Sequence, residues 1–160
     1  QEDNFLNNIK IEDLLNEIVR SFNEISEKKI LLIKKQNELN PQIDKTLEIT
    51  YGLRNFIGNA VKFAKREVII YLKSDEKTIS INIIDDGPGF PDDIKNVLGE
   101  PYIKSKSKEV SLNSGLGLGI FLGKTLLEKQ GAKLAFFRNK KFNGASVMIN
   151  WDIKNFKSNL

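Results

Sequence analysis

Three segments rich in glycine and asparagine constrain the fold of this 160-residue chain more than any other feature. They span residues 55–63, 85–89 and 115–120, and each lies at the edge of a different predicted helix or strand. Glycine at such an edge lets the backbone approach a neighbour or a ligand closely, and asparagine offers a neutral amide oxygen to a cation. A fold that gathers the three segments would therefore form one polar ligand site.

Composition excludes several kinds of chemistry. The chain contains no histidine and no cysteine, which excludes a Ser-His-Asp triad, a histidine or thiolate metal site and disulfide cross-links. Its hydrophobic content of 40% and charged content of 29% are ordinary for a single soluble domain. The net charge of +4 fits solvated lysines, because no basic stripe with stacking aromatics indicates nucleic acid. No apolar run approaches the roughly 18 residues of a membrane span.

Hydrophobic periodicity divides the chain into the helices and strands of one α+β domain. The predicted helices cover residues 12–26, 45–65 and 116–130. The predicted strands cover residues 30–33, 68–73, 78–85, 133–138 and 145–151, with a short strand at 9–11. Residues 37–44 are predicted as loop, and residues 87–114 as a long lid because they lack periodicity. The pattern predicts a two-layer α/β sandwich, in which three helices cover a mixed sheet of about five strands.

The second and third predicted helices have defined apolar faces, and the second also contains two glycines. On the second helix, Leu47 and Tyr51 are assigned to the apolar face. Gly52 and Gly58 each cost this helix about 1 kcal/mol relative to alanine, which suggests close approach of a neighbour or a ligand. On the third helix, Leu122 is predicted to point inward.

The first segment places two asparagines and a lysine on one side of a helix. Asn55, Asn59 and Lys62 are spaced i, i+4 and i+7, so they project from the same face. Magnesium takes one or two protein oxygens and completes its shell with phosphate and water, and Lys62 could reach a phosphate. Alternatively, the asparagines bond each other or water on an exposed helix. The apolar Phe56 and Ile57 between them favour the first interpretation, because they indicate two half-buried faces.

The second segment begins at Asp85, the last residue of an apolar strand. This position would deliver its carboxylate to the floor of a pocket. A carboxylate accepts a hydrogen bond from the exocyclic amine of adenine, whereas the carbonyl of guanine would face it with a second acceptor. Gly87 and Gly89 would then let the backbone pass close to a flat ring. The alternative is an ordinary Asp-Gly turn.

The third segment leads directly into the third predicted helix. Backbone amides at a helix N-terminus can bind phosphate, and Gly115, Gly117 and Gly119 leave those amides uncovered. Lys104 and two neighbouring lysines of the lid could add positive charge near a γ-phosphate, although solvated lysines are the alternative. The G-x-G-x-G spacing alone does not distinguish a phosphate site from a simple turn.

Taken in order, the three segments resemble the N, G1 and G2 boxes of the ATP-binding domain of histidine kinases. The matching residues are Asn55-x-x-x-Asn59-Ala60-x-Lys62-Phe63, Asp85-x-Gly87-x-Gly89 and Gly115-Leu116-Gly117-Leu118-Gly119. Over about residues 9–151 the chain is similar to the GHKL superfamily, which implies the Bergerat fold. Softer matches, among them residues 99–102 and 144–151, resemble the RegB/PrrB branch of redox-responsive sensor kinases.

The resemblance implies a role for each motif residue. Asn59 binds Mg²⁺, Asn55 and Lys62 assist catalysis at the phosphates, and Asp85 binds the adenine amine. Tyr102 takes the place of the F box in the lid. The expected ATP-binding set also includes Phe63, Gly87, Gly89, Lys104, Gly115, Leu116, Gly117, Leu118 and Gly119. ATP and Mg²⁺ are the expected cofactors.

The resemblance also implies an organisation and a set of partners. Residues 1–8 would be the tail of a preceding dimerisation helix or a linker, residues 9–153 the catalytic ATP-binding domain, and residues 154–160 a C-terminal tail. The acceptor histidine of the family lies in a separate dimerisation domain, through which a response regulator is reached. The expected location is the cytoplasm, within a membrane-anchored sensor kinase, with no contact of this segment to nucleic acid or membrane.

The sequence is also compatible with two other functions. One is a different GHKL activity, either an anti-sigma-type serine kinase or an ATPase of the gyrase, MutL or Hsp90 kind. Those ATPases carry a glutamate where Asn55 stands, and an asparagine cannot take up a proton from water. The other is a nucleotide-sensing pseudokinase or scaffold domain, which would bind nucleotide weakly or without magnesium.

Overall fold

The computed structural model describes residues 8–35, 39–91 and 116–156. Within them lie the helices α1 (Ile11–Asn23), α2 (Leu47–Phe63) and α3 (Leu116–Lys129). The strands are β1 (Asn8–Lys10), β2 (Lys29–Lys34), β3 (Gln42–Asp44), β4 (Glu67–Ser74), β5 (Thr78–Asp85), β6 (Lys133–Arg138) and β7 (Ala145–Asp152). A short helical turn, Ile153–Phe156, follows β7. No helix in these ranges has the length and hydrophobicity that a bilayer crossing requires.

Five of these strands form a mixed sheet in the order β2-β4-β5-β7-β6. Strands β2 and β4 run parallel, and the other neighbouring pairs are antiparallel. The hairpin of β4 and β5 turns through Asp75, whose carboxylate accepts the backbone N–H groups of Lys77 and Thr78. Strands β1 and β3 form a separate antiparallel pair. The predicted mixed sheet of about five strands is confirmed.

The helices pack on one face of the sheet and enclose the core. Alternate residues of β5 show this arrangement: Ile79, Ile81 and Ile83 are buried under the helices. Ser80 and Asn82 lie on the opposite face, where Asn82 accepts a hydrogen bond from Ser146. A period of two residues places successive side chains on opposite faces of a strand. The predicted two-layer arrangement is therefore confirmed.

Helix α2 forms the centre of the helical layer, and both of its ends are held by side chains. The hydroxyl of Thr46 accepts the backbone N–H of Ile49 at 3.2 Å, which caps the N-terminus. At the other end, the amine of Lys28 donates to the carbonyls of Val61 and Lys62 at 2.6 and 3.0 Å. A cation at a helix C-terminus satisfies carbonyls that lack partners within the helix.

The glycines of α2 are explained by neighbouring helices. A Cβ atom at Gly52 would lie 2.6 Å from the side chain of Leu127, and one at Gly58 would lie 3.2 Å from the ring of Phe22. At the same crossing, a Cβ at Gly123 would lie 2.9 Å from the ring of Phe56. Paired glycines thus allow α2 and α3 to approach closely, so a neighbour and not a ligand accounts for Gly52.

Most predicted element boundaries agree with the structure to within a few residues, but four expectations were wrong. Residues 42–44, predicted as loop, form β3, because they pair with β1. Leu47 and Tyr51, predicted on the apolar face of α2, are 68% and 54% exposed. Leu122, predicted to point inward, is 46% exposed. The inward stripe of α2 instead runs through Ile49, Leu53, Phe56, Ile57, Ala60 and Val61.

Candidate functional site

A pocket of about 180 Å³ opens between α2, the end of β5, the start of β7 and the first turns of α3. One ordered water needs only about 10–15 Å³ of such volume, so this pocket can hold a ring-sized ligand. Its walls are mainly apolar. The lining residues are Phe56, Asn59, Ala60, Phe63, Ile83, Asp85, Pro88, Gly89, Phe90, Pro91, Ile120, Ala145 and Val147.

Asp85 supplies the charged group of this pocket. Its side chain is buried, with only 4% of the residue exposed. One carboxylate oxygen, Oδ1, accepts the backbone N–H of Gly87 at 2.8 Å and that of Ala145 at 3.3 Å. Burial raises the pKa of Asp85 above its ordinary value, although these two hydrogen bonds act in the opposite direction. The backbone therefore holds the carboxylate in place. Its two hydrogen bonds do not fully offset the free-energy cost of removing the charge from water.

The backbone around Asp85 is packed so closely that side chains are excluded. A Cβ atom at Gly87 would collide with the carbonyl oxygen of Phe63, at the end of α2. A Cβ atom at Gly144 would collide with the carbonyl oxygen of Asp85 itself. Gly89 has a φ of +85°, a conformation that strongly favours glycine. Gly89 lines the pocket, whereas Gly87 is required by packing against α2.

Asn59 brings an unsatisfied polar group to the same pocket. The residue is half-buried, and its Nδ2 is fully buried with no hydrogen-bond partner among the described residues. A Cβ atom at Gly119 would lie 3.4 Å from this nitrogen, so the amide faces the first turns of α3. Buried polar groups nearly always have partners, and one without a partner marks a place where a ligand or ion can bind.

Asn55 and Lys62 do not line the pocket, although they share a helix with Asn59. The Nδ2 of Asn55 donates to the carbonyl of Tyr51 at 2.7 Å, one turn earlier. Lys62 is exposed, and its amine lies 5.3 Å from the centre of the Phe63 ring. The i, i+4 spacing instead brings Asn59 and Phe63 to the pocket together.

The remaining predicted site residues lie partly outside the described ranges. Tyr102, Lys104 and Gly115 are outside them. Residues 116–119 form the first turn of α3, which begins at Leu116 and includes Gly117, Leu118 and Gly119. Ile120, the next residue, is buried against the pocket.

Several residues that the sequence did not single out also shape the site. Phe90 lines the pocket and packs edge-on against Phe136, with ring centres 5.7 Å apart. Asp86 accepts the backbone N–H groups of three successive residues, Lys65, Arg66 and Glu67. Burial acts to raise the pKa of Asp86, but these bonds outweigh it and leave the pKa below its ordinary value. The turn between α2 and β4 is thereby fixed beside Asp85.

Two residues at the end of β6 contact the backbone of the site without lining the pocket. Asn139 is buried, and its amide nitrogen donates to the backbone carbonyl of Asp85 at 2.9 Å. Arg138 donates to the carbonyl of Pro88 at 3.3 Å. Neither follows from local sequence pattern, because their partners at the end of β5 lie about 50 residues away along the chain.

Comparisons with known proteins give consistent matches. The model of the family described as histidine kinase-, DNA gyrase B-, and HSP90-like ATPase matches residues 45–155. The sensor histidine kinase RegB of Cereibacter sphaeroides is 41% identical over 105 residues, which are 62% of this chain and 23% of RegB. The sensor histidine kinase CssS of Bacillus subtilis is 30% identical over 88 residues, 55% of this chain and 18% of CssS. The chain thus spans less than a quarter of the length of these relatives.

Solved structures show the same fold at lower identity. The nucleotide-free catalytic domain of histidine kinase ThkA superposes with a TM-score of 0.70 at 18% identity, covering 91% of this chain and 94% of that one. The ATP-binding domain of PrrB from Mycobacterium tuberculosis gives a TM-score of 0.67 at 18% identity, covering 91% and 95%. Such likeness concerns the fold, and it confirms the predicted sandwich of helices over a mixed sheet.

Proposed function

Since the chain belongs to the family of histidine kinase-, DNA gyrase B- and HSP90-like ATPases, we propose that it is the Mg-ATP-binding catalytic domain of a two-component sensor kinase. The family match and the identity with RegB confirm the resemblance found in the three sequence segments. The observation that carries the proposal is the buried carboxylate of Asp85 in an apolar pocket. Burying a charge is costly, so such a group is retained where it recognises a polar ligand.

Adenine binds with its amine toward Asp85. Because the Gly87 and Ala145 amides occupy one carboxylate oxygen, the other oxygen is the acceptor for the exocyclic amine. The ring lies among apolar side chains such as Phe63, Ile83 and Val147. A guanine base would oppose its carbonyl to this carboxylate, so the site should prefer adenine.

The phosphates extend toward Asn59 and the first turn of α3. The side chain of Asn59 fits a magnesium-phosphate group: its Nδ2, buried without a partner among the described residues, can donate to a phosphate oxygen, and its Oδ1 can bind the cation. When bound, Mg²⁺ supplies positive charge that neutralises the phosphates. The backbone amides of Gly117 and Gly119, in the first turn of α3, bind the phosphates, and Asn55 and Lys62 act at the edge of this region.

The γ-phosphoryl group is transferred to a histidine of a separate dimerisation domain. The chain itself has no histidine, so the nucleophile comes from elsewhere. The contribution of this domain to catalysis is to position the nucleotide and to neutralise charge, which phosphoryl transfer mainly requires. A response regulator receives the phosphoryl group from that second domain, and the whole protein is a membrane-anchored sensor with this domain in the cytoplasm.

Calorimetric titration with ATP, with and without Mg²⁺, tests the proposal. Asn59→Ala is expected to weaken magnesium-dependent binding about tenfold or more, which corresponds to about 1.4 kcal/mol. Asn150→Ala is the matched control, because Asn150 is an exposed residue of β7 that does not line the pocket. No ATP binding to the unmodified chain would contradict the proposal, and equal losses in both variants would contradict the role of Asn59.

A second measurement separates the proposed kinase from the other functions. Asn55 has no group that can activate water, so ATP hydrolysis by the chain alone should be slow or absent. Phosphoryl transfer from labelled ATP to an added histidine-bearing dimerisation domain should be detectable. Rapid hydrolysis would favour an ATPase of the same family, whereas nucleotide binding without magnesium dependence or transfer would favour a nucleotide-sensing scaffold.

A further inference from the structure

The loop that joins β6 to β7 contacts the proposed base pocket from outside. We infer that Arg138, the last residue of β6, and Asn139, the first residue of this loop, are positioning residues for adenine recognition: they hold the carboxylate of Asp85 and the Gly89 turn in their binding geometry. The inference rests on the proposed function, because it concerns the same pocket. It adds two residues that lie outside all three glycine-rich segments and do not themselves line the pocket.

Asn139 fixes the backbone of Asp85. It is 6% exposed, and its Nδ2 donates to the carbonyl of Asp85 and to that of Ala145, both at 2.9 Å. Its Oδ1 accepts the backbone N–H of Phe142 at 2.7 Å. The bonds to Phe142 and Ala145 organise the loop itself. The bond to Asp85 crosses 54 positions of sequence, and it ties the loop to the end of β5.

The end of the same loop holds the side chain of Asp85. Ala145 donates its backbone N–H to Oδ1 of the carboxylate, and Gly144 packs directly on the Asp85 carbonyl. Asp85 therefore accepts a hydrogen bond from Asn139 at its backbone carbonyl and one from Ala145 at its carboxylate. A shift of the loop would move both groups together, so the direction in which the carboxylate points depends on Asn139.

Arg138 acts on the wall of the pocket. Its Nη1 donates to the carbonyl of Asn143 at 2.6 Å, within the loop, and to the carbonyl of Pro88 at 3.3 Å, across the site. Its guanidinium also occupies the space next to Gly89, since a Cβ there would lie 2.7–2.9 Å from guanidinium atoms. Pro88 and Gly89 both line the pocket. The arginine thereby holds this turn against the loop. The same turn includes Gly87, whose backbone N–H bonds to the Asp85 carboxylate, so Arg138 also acts on the direction in which the carboxylate points.

The two residues act on different parts of the site because the strand ends between them. Arg138, the last residue of β6, is exposed, whereas Asn139, the first residue of the loop, is buried. One holds the floor of the pocket and the other holds its wall. Because the two side chains bond to different groups, each residue can be substituted while the contacts of the other are kept.

The test measures affinities of the full 160-residue chain for ATP and for purine riboside triphosphate, which lacks the exocyclic amine. Arg138→Ala is the main variant, because Arg138 is exposed and its loss should leave the fold intact. Asn139→Leu is the second variant, since it keeps the approximate size of the side chain and adds no charge but removes the donor to Asp85. Lys140→Ala is the control, because Lys140 is an exposed cation of the same loop.

Arg138→Ala and Asn139→Leu should each weaken ATP binding about fivefold, roughly the factor that one hydrogen bond contributes. Binding of the purine analogue should change less than about twofold, as should ATP binding to Lys140→Ala. In a double-mutant cycle, neither change should weaken ATP binding further once Asp85 is replaced by asparagine. A purely structural role would weaken both nucleotides equally and would add to the effect of Asp85→Asn.

The outcomes separate this inference from the proposed function. If the unmodified chain binds no ATP, the proposed function fails and the inference fails with it. If the chain binds ATP but Arg138→Ala and Asn139→Leu weaken both nucleotides equally, only the inference is overturned. Equal losses in Arg138→Ala and Lys140→Ala would also overturn it, because they would show a general effect of positive charge.

Discussion

Asp85 is a carboxylate that the fold holds with backbone groups. Two N–H groups fix one of its oxygens, and the residue is almost fully buried. Desolvation nevertheless raises its pKa, so the charged form is less favourable here than in water. A residue with these properties adds little to the stability of the fold. Under the proposed function, its role is to accept a hydrogen bond from the ligand at the remaining oxygen.

Replacing Asp85 with asparagine should therefore weaken ATP binding while the domain stays folded. The amide keeps one oxygen for Gly87 and Ala145 but presents an NH₂ group to the adenine amine, so two donors would meet. Loss of a hydrogen bond to a charged group predicts a decrease in affinity of about tenfold or more. Titration calorimetry with Mg-ATP checks this expectation.

Asp152→Asn is the control for that prediction. Asp152 is an exposed aspartate at the far end of β7, so its replacement removes the same charge without touching the pocket. Equal affinity of Asp85→Asn and the unmodified chain for ATP would contradict the proposed role. A similar loss in Asp152→Asn would show that net charge, and not the position of the carboxylate, controls binding.

At the scale of single residues, sequence predicts groups whose partners are near in the chain. Asp85 could be predicted as a pocket residue because it ends an apolar strand and precedes glycines. Asn139 could not be identified, because its partner at Asp85 is brought to it only by the pairing of β5, β7 and β6. The Asn143-Gly144 pair signals a turn, and Asn143 indeed has a φ of +60°. A turn signal does not reveal what the turn contacts.

At the scale of elements, the packing of α2 depends on glycine more at Gly52, where α3 crosses it, than at Gly58, which faces α1. Gly52→Ala would push a Cβ onto Leu127, which is fully buried and cannot move aside. Overpacking of this kind costs about 1–3 kcal/mol, against a gain of about 1 kcal/mol in helix propensity. We expect a net loss in the free energy of unfolding, measured by urea denaturation.

Gly58→Ala provides the matched comparison in the same helix. Its nearest neighbour is the ring edge of Phe22, which is half-buried and can shift by a few tenths of an ångström. The gain in helix propensity, about 1 kcal/mol, should then be largely retained. Gly58→Ala should be neutral or stabilising. Equal destabilisation by the two changes would contradict this account of the crossing.

The C-terminus of α2 is a second element whose stability depends on a distant residue. Lys28→Met removes the amine that bonds to the last carbonyls of α2 while keeping a side chain of similar length. We expect the free energy of unfolding to fall by about 1 kcal/mol, the net contribution of one or two such bonds. Lys29→Met is the control, because Lys29 is the neighbouring exposed lysine. Equal effects of the two changes would contradict a capping role.

Sequence predicted long elements better than short ones for a physical reason. The strand at 78–85 was predicted with its observed bounds, because its alternation extends over eight residues. The three-residue β3 is too short to show a period, and the nearby Pro41 resembles a loop signal. The exposure of Leu122 was missed because a helix rich in apolar residues does not show which side faces the sheet.

At the scale of the whole molecule, two adjacent aspartates give stability opposite dependences on pH. The folded-state pKa of Asp86 is lowered, so its contribution to stability is present above its unfolded pKa and is lost as the pH falls through the folded value. The folded-state pKa of Asp85 is raised. Its contribution is therefore present below the unfolded pKa and is lost as the pH rises through the folded value.

These opposite signs predict how the two asparagine variants differ from the unmodified chain between about pH 3 and about pH 7. The stability of Asp86→Asn relative to the unmodified chain should fall with rising pH, because the variant lacks the negative charge that strengthens the bonds from Lys65, Arg66 and Glu67. The relative stability of Asp85→Asn should rise instead, because the variant avoids a buried charge. Urea denaturation across this range measures both slopes. Slopes of the same sign would contradict the proposed origin of the two pKa shifts. Opposite slopes, together with loss of ATP binding in Asp85→Asn, would show that this carboxylate is maintained for the ligand at the expense of the fold.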